Sequence, residues 1–309
     1  MSDTALPAAA TTPPAAPAKE ETPFRRFVRS FVEDRLALFG LALFLLIVLL
    51  AIAAPLIAPQ NPYDLASVDV MDSRQPPGAV SGEGFTMWLG SDGVGRDLLS
   101  GILYGLRISL MVGAFSGILA ATIGAAIGLI AAYNGGRTET IIMRLVDLQL
   151  SLPSVLVALI LVAALGKGVD KIIIALVMVQ WAYYARTVRG SALVERRKEY
   201  VEAAQSLGLS HARTVFRHIL PNCLAPVIVI VTVQTAHAIS LEATLSFLGV
   251  GLPQTEPSLG VLIANGFQYM LSGSYWISVF PGFALLMTIV SINLVGDRLR
   301  DVLNPRLEK

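Results

Sequence analysis

The chain has 309 residues, of which 54% are hydrophobic and 15% charged, with a formal net charge of +1. So few charges, and apolar residues gathered in long blocks, leave too little polar surface for a soluble domain. An all-α polytopic membrane protein is expected, with membrane lipid as surroundings and no nucleic-acid partner.

Residues 1–23, rich in Ala, Pro and Thr without apolar periodicity, are expected to form a disordered cytoplasmic tail. Arg25 and Arg26 precede an apolar stretch, but that stretch is long enough to span rather than to be cleaved as a leader. Residues 24–58 hold the first membrane helix. Leu36 to Ala58 carries no charge, and nine of the ten residues from Leu41 to Leu50 are Leu, Ile, Val or Phe. Each favours insertion by roughly 0.3–0.6 kcal/mol near mid-bilayer, so this block contributes about 3–5 kcal/mol. Residues 59–106, punctuated by Pro59, Pro62, Pro76 and Pro77, read as an external loop leading to the second helix.

A core of 107–299 follows, with further spans at 108–132, 141–165, 172–189, 222–248 and 276–296, and a short tail at 300–309. Six spans place both termini on one side. With the N-terminus inside, 18 Lys or Arg are cytoplasmic and five external, so the positive-inside rule sets both termini in the cytoplasm. In the second span Gly113, Gly117, Gly124 and Gly128 fall within about 60° of one another around the helix, and Ala120 and Ala121 extend this stripe. Close packing against another helix is its expected role. Asp147 is expected to cap or pair at the inner surface, and Pro153 to kink the third span.

The charged segment 190–221 has an architecture of its own. A first helix is expected over Val194–Leu207, with Val194, Val201, Ala204 and Leu207 near one face. Gly208 would end it in a left-handed turn with Leu209 folding back, Ser210 would cap a second helix, and Pro221 would stop or kink that helix. The fifth span is polar over much of its circumference. Thr232, Thr235, Glu242 and Ser246 lie on one side, and Gln234, His237, Ser240 and Thr244 on another. Lining of a translocation pathway and hydrogen bonding between helices are both open for these groups.

Glu202, Ala203 and Ala204, Gly208 six residues after Glu202, and Leu220-Pro221 beyond it resemble the EAA loop of ABC importer permeases. His218-Ile219-Leu220-Pro221-Asn222 is similar to the dipeptide and oligopeptide branch, as are Leu89-Gly90-Ser91-Asp92, Arg107-Ile108-Ser109-Leu110, Leu245-Ser246-Phe247-Leu248-Gly249 and Asn293-Leu294-Val295-Gly296-Asp297. Ser91, Leu259 and Asn304 depart from residues usual in that branch. The resemblance implies a C-type permease subunit in a prokaryotic plasma membrane. It implies a homologous second permease, two ABC ATPase subunits or domains and an extracytoplasmic solute-binding protein as partners. Within that resemblance Glu202 to Gly208 would couple to the ATPase, with Arg213 and Arg217 as docking contacts. Peptides are the default substrate, with glutathione and nickel complexes as alternatives in the same branch.

No catalytic residue is expected in this chain. Gly166-Lys167-Gly168 lacks the remainder of a phosphate loop, so ATP and Mg would be used by partner subunits and no cofactor is bound here. Cys223 stands alone, and His211, His218 and His237 have no metal-ligand spacing. A secondary transporter would need an inverted repeat or midplane ion-coupling groups, and neither occurs. A non-transporting membrane scaffold or receptor subunit using 199–221 as its docking loop is the remaining rival.

Overall fold

The computed structural model describes residues 22–64 and 68–303, and the expected tail of 1–23 lies almost wholly outside them, as do residues 304–309. A short helix α1 (Pro23–Val32) precedes α2 (Arg35–Ile57), whose first turn is capped by the Asp34 carboxylate accepting from Leu36 N at 2.8 Å. Helix α2 is apolar all round, as a helix in lipid should be. It buries mostly small residues against the chain, Ala37, Gly40, Ala51 and Ala54 with Ile47, and presents Phe39, Leu45, Leu49 and Ile52 outward.

The loop after α2 is more organised than its prolines suggest. A two-residue hairpin pairs β1 (Ala79–Val80) with β2 (Thr86–Met87) in antiparallel register, Ala79 opposite Met87. Buried carboxylates brace it. Asp72 accepts from Ser81 Oγ at 2.6 Å and from the Gly82 amide. Asp92 holds the buried Arg96 guanidinium at 2.7 Å, and Arg96 also donates to the Gln254 carbonyl at 3.1 Å. The loop is thereby tied to a segment far along the chain.

Helix α3 (Leu98–Asn134) begins ten residues before the expected span because Asp97 caps it, accepting from the Ser100 amide at 2.8 Å and hydroxyl at 2.6 Å. Desolvation raises the Asp97 carboxyl above its ordinary range, against the lowering effect of the Ser100 bonds. A raised folded-state pKa favours folding below the unfolded value and loses that benefit as pH rises. Asp97→Asn, which keeps a capping oxygen without the charge, should therefore unfold at a higher temperature than wild type at pH 7. The gap should narrow as pH falls toward 4, and thermal unfolding in detergent at several pH values reads it.

The remaining helices are α4 (Gly136–Ser151), α5 (Ser154–Leu165), α6 (Val169–Glu195), α7 (Glu199–Ser206), α8 (His211–Thr214), α9 (Leu220–Phe247), α10 (Leu259–Phe267) and α11 (Trp276–Leu303). Among the described residues four helical stretches are long and apolar enough to cross a membrane, and the α4–α5 pair makes up to five. The expected third span is thus broken rather than kinked. Helices α4 and α5 meet at 92° around Leu152-Pro153, because Pro153 lacks an amide hydrogen and bars helical geometry at Leu152. The expected fourth span lies within α6, where Gln180, Arg186 and Arg189 dilute its apolar character.

The glycine stripe of α3 serves two neighbours. A Cβ on Gly113 would sit 2.7 Å from Ile239 and one on Gly117 would sit 3.0 Å from Thr235 Oγ1, both on α9. A Cβ on Gly124 would lie 2.6 Å from the Tyr184 Cβ, and one on Gly128 3.1 Å from the Arg189 amide, both on α6. The single long helix is therefore the spine against which α6 and α9 pack. Helix α10 is short yet no surface element: Leu259, Gly260, Val261 and Leu262 are buried, and Gly260 abuts the Ala243 backbone of α9.

Candidate functional site

The segment from Glu199 to Ile219 projects beyond the ends of α6 and α9. Helix α6 continues to Glu195, so the first helix of this segment is the shorter α7, starting at Glu199 rather than Val194. Its C-terminus has a Schellman turn: Gly208 has φ +71°, and the Leu209 amide donates back to the Ala204 carbonyl at 3.2 Å. Ser210 restarts the chain, its carbonyl accepting from the Thr214 amide at 3.0 Å and its hydroxyl from the Arg213 amide at 3.4 Å.

Beyond α8 the backbone runs through a π turn, Val215–Ile219, directly into α9. Pro221 therefore does not stop the second helix. It stands in the first turn of α9, where a proline is tolerated, and the wider π turn before it relieves the carbonyl its ring would crowd.

Val201 and Ile219 are buried against α3 and α6 with Cys223, and Ala204 is buried as well. Glu202, Ala203, Gly208, Arg213, Arg217 and Pro221 are exposed, and Leu220 is half-buried. Leu207 is 79% and Phe216 66% exposed, which leaves two large apolar side chains among charges at the tip. Such a combination of apolar anchors and a polar rim suits a protein surface.

Contacts between residues distant in the chain hold the base of this segment and the helix that leads into it. Tyr133, at the end of α3, is hydrogen-bonded to His211 Nδ1, with the two rings 5.3 Å apart. The Arg196 guanidinium lies 5.6 Å from the centre of the Tyr133 ring and donates to the Ala132 carbonyl at 2.9 Å. Arg189 reaches Glu139 of α4 at 2.8 Å through Nε, and Arg186 pairs with Asp147. Apart from the pairing expected of Asp147, no pattern in the chain announces these partners, because each pair joins residues separated by 39 to 78 positions.

Helix α9 accounts for its own polarity more than its sequence suggests. The hydroxyls of Thr232, Thr235, Ser240 and Thr244 all donate to carbonyls three or four residues earlier at 2.7–2.9 Å. Thr232 faces Gly296 of α11 and Thr235 faces Gly117 of α3. Glu242 is fully buried, accepting from Ser109 of α3 at 3.2 Å and Ser246 at 2.8 Å. Gln180 of α6, absent from the sequence candidates, donates to the Gln234 carbonyl at 3.1 Å. His237 is half-buried. Gln234 also lines an open cavity of about 550 Å³ between α9 and α11, together with Thr187, Gly296, Asp297 and Arg300. Among the described residues no cluster of three or more His, Cys, Asp or Glu is arranged to hold a metal ion.

A broken-helix membrane bundle with a capped, exposed helical hairpin between α6 and α9 is the architecture of a transport permease. Residues 124–309 match the family described as binding-protein-dependent transport system inner membrane component, and the chain belongs to that family. Residues 22–77 match the N-terminal transmembrane domain of oligopeptide transport permease C.

Among its relatives, a candidate peptide transport system permease protein of Brucella abortus biovar 1 (strain 9-941) is 42% identical, over 91% of both chains. The di/tripeptide transport system permease protein DppC of Pseudomonas aeruginosa (strain UCBPP-PA14) is 37% identical, over 93% of both. The oligopeptide transport system permease protein OppC of Bacillus subtilis (strain 168) is 37% identical, over 90% of this chain and 88% of its own. In fold, the chain is similar to an inward-facing methionine ABC transporter, MetNI, with a TM-score of 0.54 at 19% identity over 66% of this chain and 96% of the other. The protein is thus a multi-pass membrane permease subunit of an ABC importer.

Proposed function

We propose that this permease imports peptides, in complex with a homologous second permease, two ABC ATPases and an extracytoplasmic solute-binding protein. The exposed segment Glu199–Ile219, with its Schellman turn at Gly208 and its apolar anchors Leu207 and Phe216, is the observation that carries the ATPase coupling. The peptide substrate rests on the named transport systems of the Pseudomonas and Bacillus relatives. Six spans, formed by α2, α3, the α4–α5 pair, α6, α9 and α11, leave both termini and the coupling segment in the cytoplasm.

ATP binding would close the ATPase pair and draw the coupling segments of the two permeases together. Helices α6 and α9, which flank the segment, would then move against the α3 spine and switch the bundle between outward and inward access. Glu202, Ala203, Arg213 and Arg217 would contact the ATPase. Gln234 and His237 would line the inner part of the pathway, with the cavity bounded by Gln234, Asp297 and Arg300 as its inward opening. Thr232, Thr235 and Glu242 would shape the pathway from behind by fixing α9 to its neighbours.

Affinity purification of the tagged chain from native membranes in mild detergent, with mass spectrometry of what is retained and uptake of labelled di- and tripeptides, tests this reading. Recovery of an ATPase and a second permease, with uptake lost when the chain is deleted, is the expected result. A well-folded chain that retains no ATPase would move the assignment to a scaffold. His237→Leu should lower peptide uptake while leaving the retained partners unchanged; full uptake in that variant would remove His237 from the pathway.

A further inference from the structure

Three stretches of chain meet at one phenol where the coupling segment joins the bundle. Tyr200, in the first turn of α7, lies between the end of α6 and the start of α9. Its hydroxyl is 2.6 Å from Glu195 Oε2 and 3.3 Å from the His218 carbonyl, and it accepts from Asn222 Nδ2 at 3.1 Å. A phenol has one proton to give, and the short contact with the carboxylate takes it. The His218 carbonyl is then served by Asn222 Nδ2 at 2.8 Å, and the second Glu195 oxygen by Lys198 Nζ at 2.7 Å.

Glu195 is 9% exposed, and directly beneath this network lie the buried Val201, Ile219 and Cys223. Burial raises the Glu195 carboxyl, but Lys198 and Tyr200 outweigh it and hold the group below the usual carboxylate range. Burial, and then the neighbouring Glu195 charge, push the Tyr200 hydroxyl up to about 12. Near neutral pH the carboxylate is therefore charged and the phenol retains the proton it donates.

We infer that Tyr200, together with Glu195 and Asn222, is a positioning clamp that closes the neck of the coupling segment, so that displacement of the exposed tip turns α6 and α9 as one body. Without it the neck keeps the Tyr133–His211 contact and the packing of Val201 and Ile219 but loses its polar tie between the ends of α6 and α9, so a push at Leu207 bends Arg196–Lys198 and the π turn more and moves the helices less. The clamp rests on the ATPase-coupling reading given above. It adds residues that lie behind the docking surface rather than on it.

The test uses the intact complex reconstituted in liposomes, in wild-type, Tyr200→Phe and Asn222→Leu forms. It reads labelled di- and trialanine imported per ATP hydrolysed. A second readout, independent of substrate, is the distance between spin labels at the exposed positions Phe39→Cys and Phe247→Cys before and after trapping with ATP, Mg and vanadate. Loss of a hydrogen bond to a charged group should lower import per ATP and the fraction of molecules that switch by about tenfold in Tyr200→Phe, while the ATPase stays bound and active. Adding Glu195→Gln to Tyr200→Phe should cost less than the sum of the two single changes, because both weaken the same bond.

Wild-type import per ATP and a wild-type distance change in both single variants would overturn the clamp. So would a loss confined to ATPase retention or thermal stability, which would make the network mere structural support. A wild-type chain that retains no ATPase would instead overturn the coupling reading itself, and the clamp with it.

Discussion

Gly208→Pro is expected to strip the ATPase from the purified complex and abolish uptake while the membrane bundle remains folded. Gly208 has φ +71°, whereas proline is fixed near −65°, so the turn cannot form around it. Proline also drives the preceding residue, here the exposed Leu207, out of helical geometry. The bond from the Leu209 amide to the Ala204 carbonyl would be lost, and α7 and α8 would no longer present their exposed residues on one surface.

Gly208→Ala separates conformation from bulk. Open space surrounds this position, so a methyl group meets no neighbour and only the left-handed backbone is penalised, by about 1 kcal/mol. That variant should keep the ATPase and lose only part of its activity. Mass spectrometry of the retained subunits and uptake per ATP distinguish the cases; wild-type coupling in Gly208→Pro would refute the role given to this turn.

Gly124→Val should cause a large loss of stability within the bundle. The first added carbon would lie 2.6 Å from the Tyr184 Cβ and also press on the Trp181 carbonyl. Neither neighbour can swing away, since one is fixed to its backbone and the other is backbone. Overpacking of this kind costs typically 1–3 kcal/mol even where side chains yield. Here α3 and α6 must separate, so a value at or above the top of that range is expected. Gly190→Ala on α6, where nothing lies within 4 Å of the added carbon, is the matched control and should be near neutral. Thermal unfolding in detergent and yield from membranes measure both. Equal stability of the two variants would show that the helices are not in register as described.

Much of this architecture is legible in the residues. The uncharged run of α2, the glycine stripe of α3 and the Gly208 turn each follow from local sequence, because hydropathy, side-chain size and backbone freedom act over a few positions. Pro153 marked a disturbance in the third span, but its extent depends on what α4 and α5 pack against, so a kink was expected where the structure has a sharp break. Pro221 misled for the opposite reason: a proline ends a helix unless the turn before it widens, and nothing in Val215–Ile219 announces a π turn.

The polar residues of α9 leave pathway lining and bonding between helices both open in the sequence, whereas the hydroxyls of Thr232, Thr235, Ser240 and Thr244 are satisfied within the helix itself. Gln180, Tyr133 and Tyr200 escaped notice because their meaning lies in partners distant along the chain. Pairings such as Tyr200 with Asn222 are set by how helices dock and leave no periodic trace.

The π turn between the coupling tip and α9 has a consequence for register. Such a turn holds one residue more than the α-helical turn it replaces, and each residue of an α-helix advances about 100° and 1.5 Å. Rewinding Val215–Ile219 into α-helix would therefore rotate everything on its N-terminal side by about one residue step relative to α9, without breaking the chain's helical path. The five residues act as a gear with one spare tooth. Such a change of winding would alter which face of α8, and with it Arg213, is turned toward the docking surface proposed above.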